Sequence, residues 1–380
     1  MGTLWNISNP FLIYLDQLTL FVIFEMTNLI YDLPEQLRTV KLCSPLIFRS
    51  QFKEYLNESL SSTKQVLIDQ FNVINTKSCE LEKANQLTCR AAIHPDNYYL
   101  NRYDDILPYD QTRVVLRNTN NQNLIRFSEL STNLNVGYIN ANFIRTIEPP
   151  ISSNDTILRA SNHCEFIATQ GPIKSTISDF WYMIYTFKCP IIVMLTKLQC
   201  NNQTICDLYW PEKLNTVKHY KSANYQMAVS LLEVNQSDCF TKRIFKVSLS
   251  KNPDESHNVI HIHFTKWENF GVPTTENMWQ LVKEYDSTYQ SIVKRSNVSS
   301  IGPTVVHCSA GVGRTGTFIS VLIIHRHLRS ANCEWITLAS VVLMLRLWRC
   351  CMIELKDQYI FLHEYFAYIL NKDESQLKNN

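Results

Sequence analysis

The chain has 380 residues, enough for one large α/β domain of roughly 300 residues with a sizeable core. Charged residues make up 18% and apolar residues 45% of the chain, which excludes an intrinsically disordered protein. The formal net charge of +2 gives no electrostatic reason to expect a nucleic-acid partner.

Twelve cysteines are scattered along the chain without a paired Cys-x-x-Cys spacing. This usage indicates a reducing compartment and argues against a zinc site. Asn-x-Ser/Thr sequons would allow glycosylation of a secreted or membrane-tethered form, and they lie at Asn6, Asn57, Asn154, Asn202, Asn235 and Asn297. Such sequons arise by chance in an Asn-rich chain, so we favour a cytoplasmic protein and keep the secreted form as a remote alternative.

Residues 1–49 are expected to be an N-terminal extension of unknown role. Their apolar stretches, 11–15 and 18–24, are interrupted by Asp16, Gln17 and Glu25. The uninterrupted lengths are shorter than a membrane span requires. Because no basic segment precedes them, an amphipathic helix docked on the domain is favoured over a signal peptide, and no membrane association is expected.

Apolar residues with a helical period between residues 45 and 75 predict two helices that open a domain spanning residues 50–371. Residues 97–113 follow, dense in turn formers and aromatic residues and too polar at their centre to be core. The domain is expected to close with a helix over residues 357–370, and residues 372–380 form a polar tail.

Further strands are predicted at residues 190–195, 225–233 and 245–250, and the last of the series covers residues 259–265. His261 and His263 share one face of that last strand, which could suggest a metal pair. No third ligand is near in the sequence, so we interpret both histidines as structural.

The most informative segment is residues 304–320, Thr-Val-Val-His-Cys-Ser-Ala-Gly-Val-Gly-Arg-Thr-Gly-Thr-Phe-Ile-Ser. It predicts a strand, a tight glycine-rich loop and an apolar helix. Unpaired backbone N–H groups and the positive dipole at a helix N-terminus favour a tetrahedral oxyanion in such a loop. A thiol in that field loses its proton readily, so Cys308 is a predicted nucleophilic thiolate. Arg314 offers a planar fork to two phosphate oxygens.

Residues 307–316, His-Cys-Ser-Ala-Gly-Val-Gly-Arg-Thr-Gly, resemble the signature loop of the classical, phosphotyrosine-specific protein tyrosine phosphatases. The resemblance extends over residues 50–370 and implies the α/β cysteine-phosphatase fold, a twisted mixed β-sheet flanked by helices. It implies that Cys308 attacks phosphorus, that Thr315 hydrogen-bonds the thiolate, and that water then cleaves the phosphocysteine. The phosphoryl oxygens would be held by Arg314 and by the N–H groups of Ser309, Ala310, Gly311, Val312 and Gly313.

The same resemblance implies substrates that are phosphotyrosine-containing proteins, no metal and no cofactor, and we expect a monomer. Residues 97–113 are similar to the family's phosphotyrosine-recognition loop. Tyr103 would stack on the substrate's phenyl ring and set the depth of the pocket. Asp105 would accept hydrogen bonds from the backbone of the substrate peptide.

Residues 267–273, Trp-Glu-Asn-Phe-Gly-Val-Pro, align without gaps with the family's Trp-Pro-Asp-x-Gly-Val-Pro acid loop. The family's Asp protonates the leaving tyrosine oxygen, but here the residue is Asn269, whose amide cannot deliver a proton. Losing general acid catalysis typically costs about 10²- to 10⁴-fold in rate. Glu268 is a hypothetical displaced acid, although adjacent loop positions point in different directions. Phe270 is expected to close over the substrate ring, so binding would survive.

Arg346 and Arg349 match family arginines that brace the signature loop. A second departure from the family pattern follows them. The family has a Gln that positions the hydrolytic water where this chain has Glu354, whereas Gln358 is kept. A carboxylate could orient water but would repel the phosphoryl group, so the second chemical step is also suspect.

Two functions of different class follow from these departures. One is a tyrosine phosphatase with impaired turnover, and the other is a phosphotyrosine-binding pseudophosphatase that traps substrates and interferes with signalling. The short, single-domain chain also resembles the small phosphatases of the insect-associated viruses carried by parasitoid wasps, which act on host signalling.

Overall fold

The computed structural model describes residues 35–44, 46–61, 63–116, 137–150, 152, 157–268, 271–295, 301–331 and 333–377. The helices in these residues are α1 (Phe52–Ser61), α2 (Gln65–Ala84), α3 (Arg90–Ile93), α4 (Ile177–Thr186), α5 (Thr275–Arg295), α6 (Gly313–Arg329), α7 (Leu338–Trp348) and α8 (Lys356–Leu377). The strands are β1 (Thr39–Lys41), β2 (Ile47–Phe48), β3 (Arg113–Val115), β4 (Tyr138–Ile147), β5 (Ile157–Thr169), β6 (Ile191–Met194), β7 (Gln199–Cys200), β8 (Gln203–Thr204), β9 (Val217–Lys221), β10 (Gln226–Gln236), β11 (Phe240–Leu249), β12 (Asn252–Phe264), β13 (Thr304–His307) and β14 (Trp335–Ile336).

Ten of the described strands form one mixed sheet. Its order is β3-β4-β5-β13-β6-β12-β11-β10-β9, with β1 paired to β5. The centre is parallel, because β13 lies between β5 and β6 and β12 pairs with the other edge of β6. Parallel strands covered by helices are buried on both faces, which explains the uninterrupted apolar run of β6. The predicted twisted mixed sheet flanked by helices is confirmed.

Two cores lie on opposite faces of this sheet. Phe166, Val193 and Val306 point into a core shared with α1, α2 and α5 to α8. Their immediate neighbours along the strands belong to a second core, which is covered by α4. This alternation follows from the period of two in a strand. The central strands therefore hold the loop that follows β13 between two packed layers.

Both ends of the domain differ from the sequence-based expectation. Val40 in β1 is 1% exposed and pairs with Leu158, and the indole N–H of Trp348 donates to the carbonyl of Leu37 at 2.9 Å. The packed domain therefore begins before residue 50. At the other end, α8 continues to Leu377 rather than ending near residue 370. The amphipathic helix expected near the N-terminus lies outside the described residues.

The loop after β13 is braced from α7 by a single arginine. The fully buried guanidinium of Arg349 donates to the carbonyls of Gly311 at 2.9 Å and Ala310 at 3.0 Å. It also donates to the side-chain oxygens of Asn142 at 2.7 Å and Asn140 at 2.8 Å in β4. One planar fork thus ties the loop to β4, as the resemblance predicted for Arg349.

None of the helices formed by the described residues is long and apolar enough to cross a lipid bilayer.

We predict that Arg349→Leu lowers the free energy of unfolding by about 3 kcal/mol or more. The substitution strips four buried oxygens of their donor, and an unsatisfied buried acceptor costs about 1–3 kcal/mol. The matched control is Arg329→Leu, whose guanidinium is 42% exposed and pairs with Asp286 at the surface. Removing a surface pair changes stability by about 1 kcal/mol or less. Equal losses for the two variants in denaturant unfolding would contradict the bracing role.

Buried histidines predict acid sensitivity of the fold. Burial lowers the pKa of His307, His325 and His327 to about 3, below the value of about 6.5 for an unfolded chain. Below pH 6.5 the unfolded chain therefore binds more protons than the folded protein. The stabilisation that comes from keeping these histidines neutral is fully present above that pH and is lost as the pH falls. We expect the free energy of unfolding to decrease between pH 7 and pH 5 by on the order of 2 kcal/mol for each such histidine.

Equilibrium unfolding in urea across this pH range measures the effect. The variant His325→Gln removes one of these groups and should show a shallower dependence on pH than the parent chain. A free energy of unfolding that stays constant from pH 7 to pH 5 would show that these histidines are not buried in the neutral form.

Candidate active site

Cys308 lies at the carboxyl end of the central parallel strand β13. In the register of the sheet, His307 is paired with Thr169 of β5 and with Met194 of β6. The carboxyl ends of parallel strands form the edge where open α/β sheets bind ligands. Cys308 follows His307 directly, and α6 begins at Gly313. The predicted strand, loop and helix are confirmed, and the helix begins inside the signature loop.

The loop curls around the thiol of Cys308, which is 5% exposed. The backbone N–H of Gly311 donates to its Sγ at 3.2 Å, and the hydroxyl of Thr315 donates to it at 3.4 Å. Gly311 has a φ of +75°, and a Cβ there would lie 2.1 Å from the carbonyl oxygen of Thr169. The curl therefore requires glycine at this position, and both hydrogen-bond donors are directed at the sulfur.

The guanidinium of Arg314 joins the signature loop to two other segments. Its Nη1 donates to the Leu195 carbonyl at 3.3 Å and the Thr196 hydroxyl at 3.0 Å, just after β6. Its Nη2 donates to the backbone carbonyl of Glu268 at 3.1 Å. The described part of the acid loop thus lies against Arg314.

The side chain of Glu268 is exposed and points toward Lys197. The Lys197 ammonium donates to its Oε1 at 2.8 Å, and the Glu268 side chain is 73% exposed. The hydrogen bond and charge of Lys197 lower the pKa of Glu268, which favours the ionised carboxylate. An ionised carboxylate has no proton to give, so this geometry weighs against Glu268 as a displaced acid. Asn269 and Phe270 lie outside the described residues.

The recognition loop places Tyr103 beside the signature loop. The Tyr103 hydroxyl lies 2.8 Å from the Oγ of Ser309, which in turn donates to the Ile205 carbonyl at 2.6 Å. Tyr103 is 37% exposed, and Asp105 is exposed two residues further on. Tyr103 therefore contacts the signature loop directly while its side chain stays exposed.

Arg102, which sequence reasoning did not single out, anchors this recognition loop. Its side chain donates to the carbonyls of Gly171 at 3.0 Å and Pro172 at 2.8 Å, and it pairs with Asp207 at 2.9 Å. Its backbone N–H donates to Gln170 at 2.9 Å. Residues 170–172, which follow β5, thus hold the recognition loop in place through Arg102.

Glu354 and Gln358 converge on the signature loop at Gly313. A Cβ built on Gly313 would lie 2.9 Å from both terminal atoms of the Gln358 amide and 3.2 Å from Oε2 of Glu354. Partial desolvation and the nearby Asp105 carboxylate raise the pKa of Glu354. Glu354, at the predicted water-positioning site, and the retained Gln358 therefore both lie next to the loop that contains Cys308.

A buried polar chain behind the loop was also not anticipated. The hydroxyl of Tyr209 lies 2.8 Å from Nε2 of His307 and 2.8 Å from Nε2 of His261. His263 donates from Nε2 to the Thr196 carbonyl at 2.8 Å. Among the described residues no group of three or more His, Cys, Asp or Glu side chains could hold a metal ion. Each histidine has a protein partner, which agrees with the structural interpretation of His261 and His263.

Comparison with known proteins gives the same family. A family model described as protein-tyrosine phosphatase matches residues 97–368. The chain is 31% identical over 334 residues to tyrosine-protein phosphatase non-receptor type 20 of Mus musculus, a match that covers 86% of this chain and 66% of that protein. It is 31% identical over 279 residues to protein-tyrosine-phosphatase PTP1 of Arabidopsis thaliana, covering 73% of this chain and 72% of that protein.

Receptor-type tyrosine-protein phosphatase V of Rattus norvegicus is 34% identical over 285 residues, which are 74% of this chain and 14% of that protein. The chain thus spans between 14% and 72% of the length of these three relatives. The matches include the signature loop, the recognition loop and the acid-loop segment. The chain belongs to the classical protein-tyrosine phosphatase family.

Proposed function

We propose that this protein dephosphorylates phosphotyrosine side chains of other proteins through a phosphocysteine intermediate, with impaired turnover. The observation that supports this best is the environment of Cys308, whose sulfur accepts hydrogen bonds from Gly311 and Thr315 at the centre of the loop. A buried thiol with two such donors is prepared to be a nucleophile and a leaving group.

The first step follows from this arrangement. The Cys308 thiolate attacks phosphorus, and the bond from phosphorus to the tyrosine oxygen breaks. Arg314 and the backbone N–H groups of residues 309–314 stabilise the charge on the three equatorial oxygens. The hydroxyl of Thr315, within 3.4 Å of the sulfur, stabilises the thiolate when it leaves in the second step.

Protonation of the leaving tyrosine oxygen is the step for which neither Asn269 nor Glu268 is suited. Asn269 carries no ionisable proton, and the carboxylate of Glu268 is paired with Lys197. A tyrosine leaving group with a pKa of about 10 departs poorly as an anion. Substrates with acidic leaving groups do not need the missing proton, so they should be cleaved far better than phosphotyrosine.

The alternative function is a phosphotyrosine-binding pseudophosphatase that holds its substrates. The same two observations on Asn269 and Glu268 favour it, because the parts of the pocket that bind a phosphorylated ring do not include the acid. Tyr103 and Phe270 would clamp the ring and Asp105 would hold the peptide backbone. A protein of this kind would shield phosphotyrosine sites and interfere with signalling.

Partners and location are part of the same proposal. We propose phosphotyrosine proteins as partners, a monomeric state and a cytoplasmic location, in line with the non-receptor type of one relative. The resemblance to small viral phosphatases adds host signalling proteins as the proposed targets.

Hydrolysis of two substrates by the same protein tests the proposal. We expect para-nitrophenyl phosphate, whose leaving group is acidic, to be cleaved, and a phosphotyrosine peptide to be cleaved at least about 100-fold more slowly, the usual cost of a missing general acid. Cys308→Ser should abolish both activities and keep peptide affinity within about tenfold. If the peptide binds but neither substrate is cleaved, the pseudophosphatase function is correct. Residual turnover in Cys308→Ser would show that another group is the nucleophile.

Restoring the acid is a second test. Asn269→Asp should raise the rate on the phosphotyrosine peptide by about 10²-fold or more and leave the rate on para-nitrophenyl phosphate nearly unchanged, because only the peptide needs the proton. Asn269→Ser, which is small and cannot serve as an acid, is the matched control. No gain with Asp would place the defect elsewhere in the pocket.

A further inference from the structure

Glu354 occupies a position from which a carboxylate can act on the signature loop. Its Oε2 would lie 3.2 Å from a Cβ on Gly313, so the carboxylate lies beside the loop backbone that ends in Arg314. Among the described residues, the Glu354 carboxylate has neither an ion-pair partner nor a hydrogen-bond donor; only its backbone N–H is engaged. The carboxylate is therefore available to a water molecule at the edge of the pocket.

Gln358 is held in one orientation next to it. Its Oε1 accepts the backbone N–H groups of Glu354 at 3.1 Å and Leu355 at 3.2 Å. These two bonds assign the oxygen and nitrogen of the amide, because only the oxygen can accept. The Nε2 group is then the free end, and it lies 2.9 Å from the same Cβ position on Gly313. The amide donor of Gln358 and the carboxylate of Glu354 thus both lie next to Gly313.

Gly313 leaves the space into which the ends of these two side chains extend. A Cβ there would lie 2.9 Å from the Gln358 amide and 3.2 Å from the Glu354 carboxylate, so the ends of both side chains would have to shift to make room. The two side chains therefore approach the loop more closely than they could beside a larger residue. A water molecule that accepts from Nε2 of Gln358 and donates to Glu354 would lie beside Gly313, in the loop that begins with Cys308.

We propose that Glu354 is the general base of the second chemical step, the hydrolysis of the phosphocysteine. This inference rests on the proposed function, since it requires the phosphocysteine to form. The water oxygen bonds to phosphorus while one water proton moves to the Glu354 carboxylate. The bond between phosphorus and Sγ breaks, and its electron pair stays on Cys308 as a thiolate. Phosphate leaves, and Glu354 returns its proton to solvent.

The local electrostatics suit this role. Partial desolvation and the neighbouring Asp105 raise the pKa of Glu354, and a carboxylate with a raised pKa is a stronger proton acceptor. Its repulsion from the phosphoryl group is offset by the Arg314 guanidinium and by the loop N–H groups. The Glu354 carboxylate thus supplies the base that the second step requires.

Pre-steady-state kinetics with para-nitrophenyl phosphate isolate the second step, because this leaving group needs no acid. We expect Glu354→Gln to release close to one equivalent of nitrophenolate per active site in a burst. A slow phase should follow, at least about tenfold below the wild-type steady-state rate. Intact-mass analysis of the quenched variant should show a phosphoryl adduct that is absent when Cys308 is replaced by Ser.

Two further variants make the test decisive. Glu354→Ala should be as slow as Glu354→Gln, because both lack a base. The matched control Asp357→Asn, which neutralises an exposed carboxylate three residues further on, should keep the wild-type steady-state rate.

A Glu354→Gln variant that turns over as fast as wild type or faster, as expected if Gln is needed only to position water, would overturn the inference. Absence of nitrophenolate release and of any adduct in the wild-type protein would instead overturn the proposed function, and the inference with it.

Discussion

The site depends on the curled backbone of residues 308–313, which is held in place by buried contacts. Arg349 binds two carbonyls of this curl, and Gly311 turns with a positive φ against the carbonyl of Thr169. With its carbonyls directed outward to Arg349, the loop can direct N–H groups inward, as the bond from Gly311 to the Cys308 sulfur shows. A concave array of N–H groups at a helix N-terminus stabilises both a thiolate and a tetrahedral phosphoryl group.

Around this intact centre, the residues that move protons have changed. The acid position is Asn269, and the adjacent Glu268 is paired with Lys197 on the surface. A neutral Gln of the family is replaced by Glu354, which lies beside Gly313. Lys197 thus engages the Glu268 carboxylate, whereas among the described residues the Glu354 carboxylate has no ion-pair partner. This asymmetry explains why binding, phosphoryl transfer and hydrolysis should respond differently to substitution.

The fold and the nucleophile could be predicted because their signals are local. Residues 304–320 contain the β-branched strand, the glycines and the apolar helix in one continuous stretch, and each part constrains its neighbours. The pairing of β1 with β5, and of Lys197 with Glu268, could not be predicted in this way. These contacts join segments far apart in sequence, and neither partner has a distinctive pattern of its own. The hydrogen-bonded group of Tyr209, His307 and His261 could not be predicted for the same reason.

We propose that Cys308 works as a nucleophile in a pocket without a general acid. The most direct test of this proposal is the dependence of kcat/KM on the leaving-group pKa across a series of aryl phosphates. We predict a steep decline with rising leaving-group pKa for the wild-type protein, and a shallow one for Asn269→Asp, because only a protonated leaving group is insensitive to its own basicity. A shallow dependence in the wild-type protein would contradict the account, since it would require another residue to donate the proton.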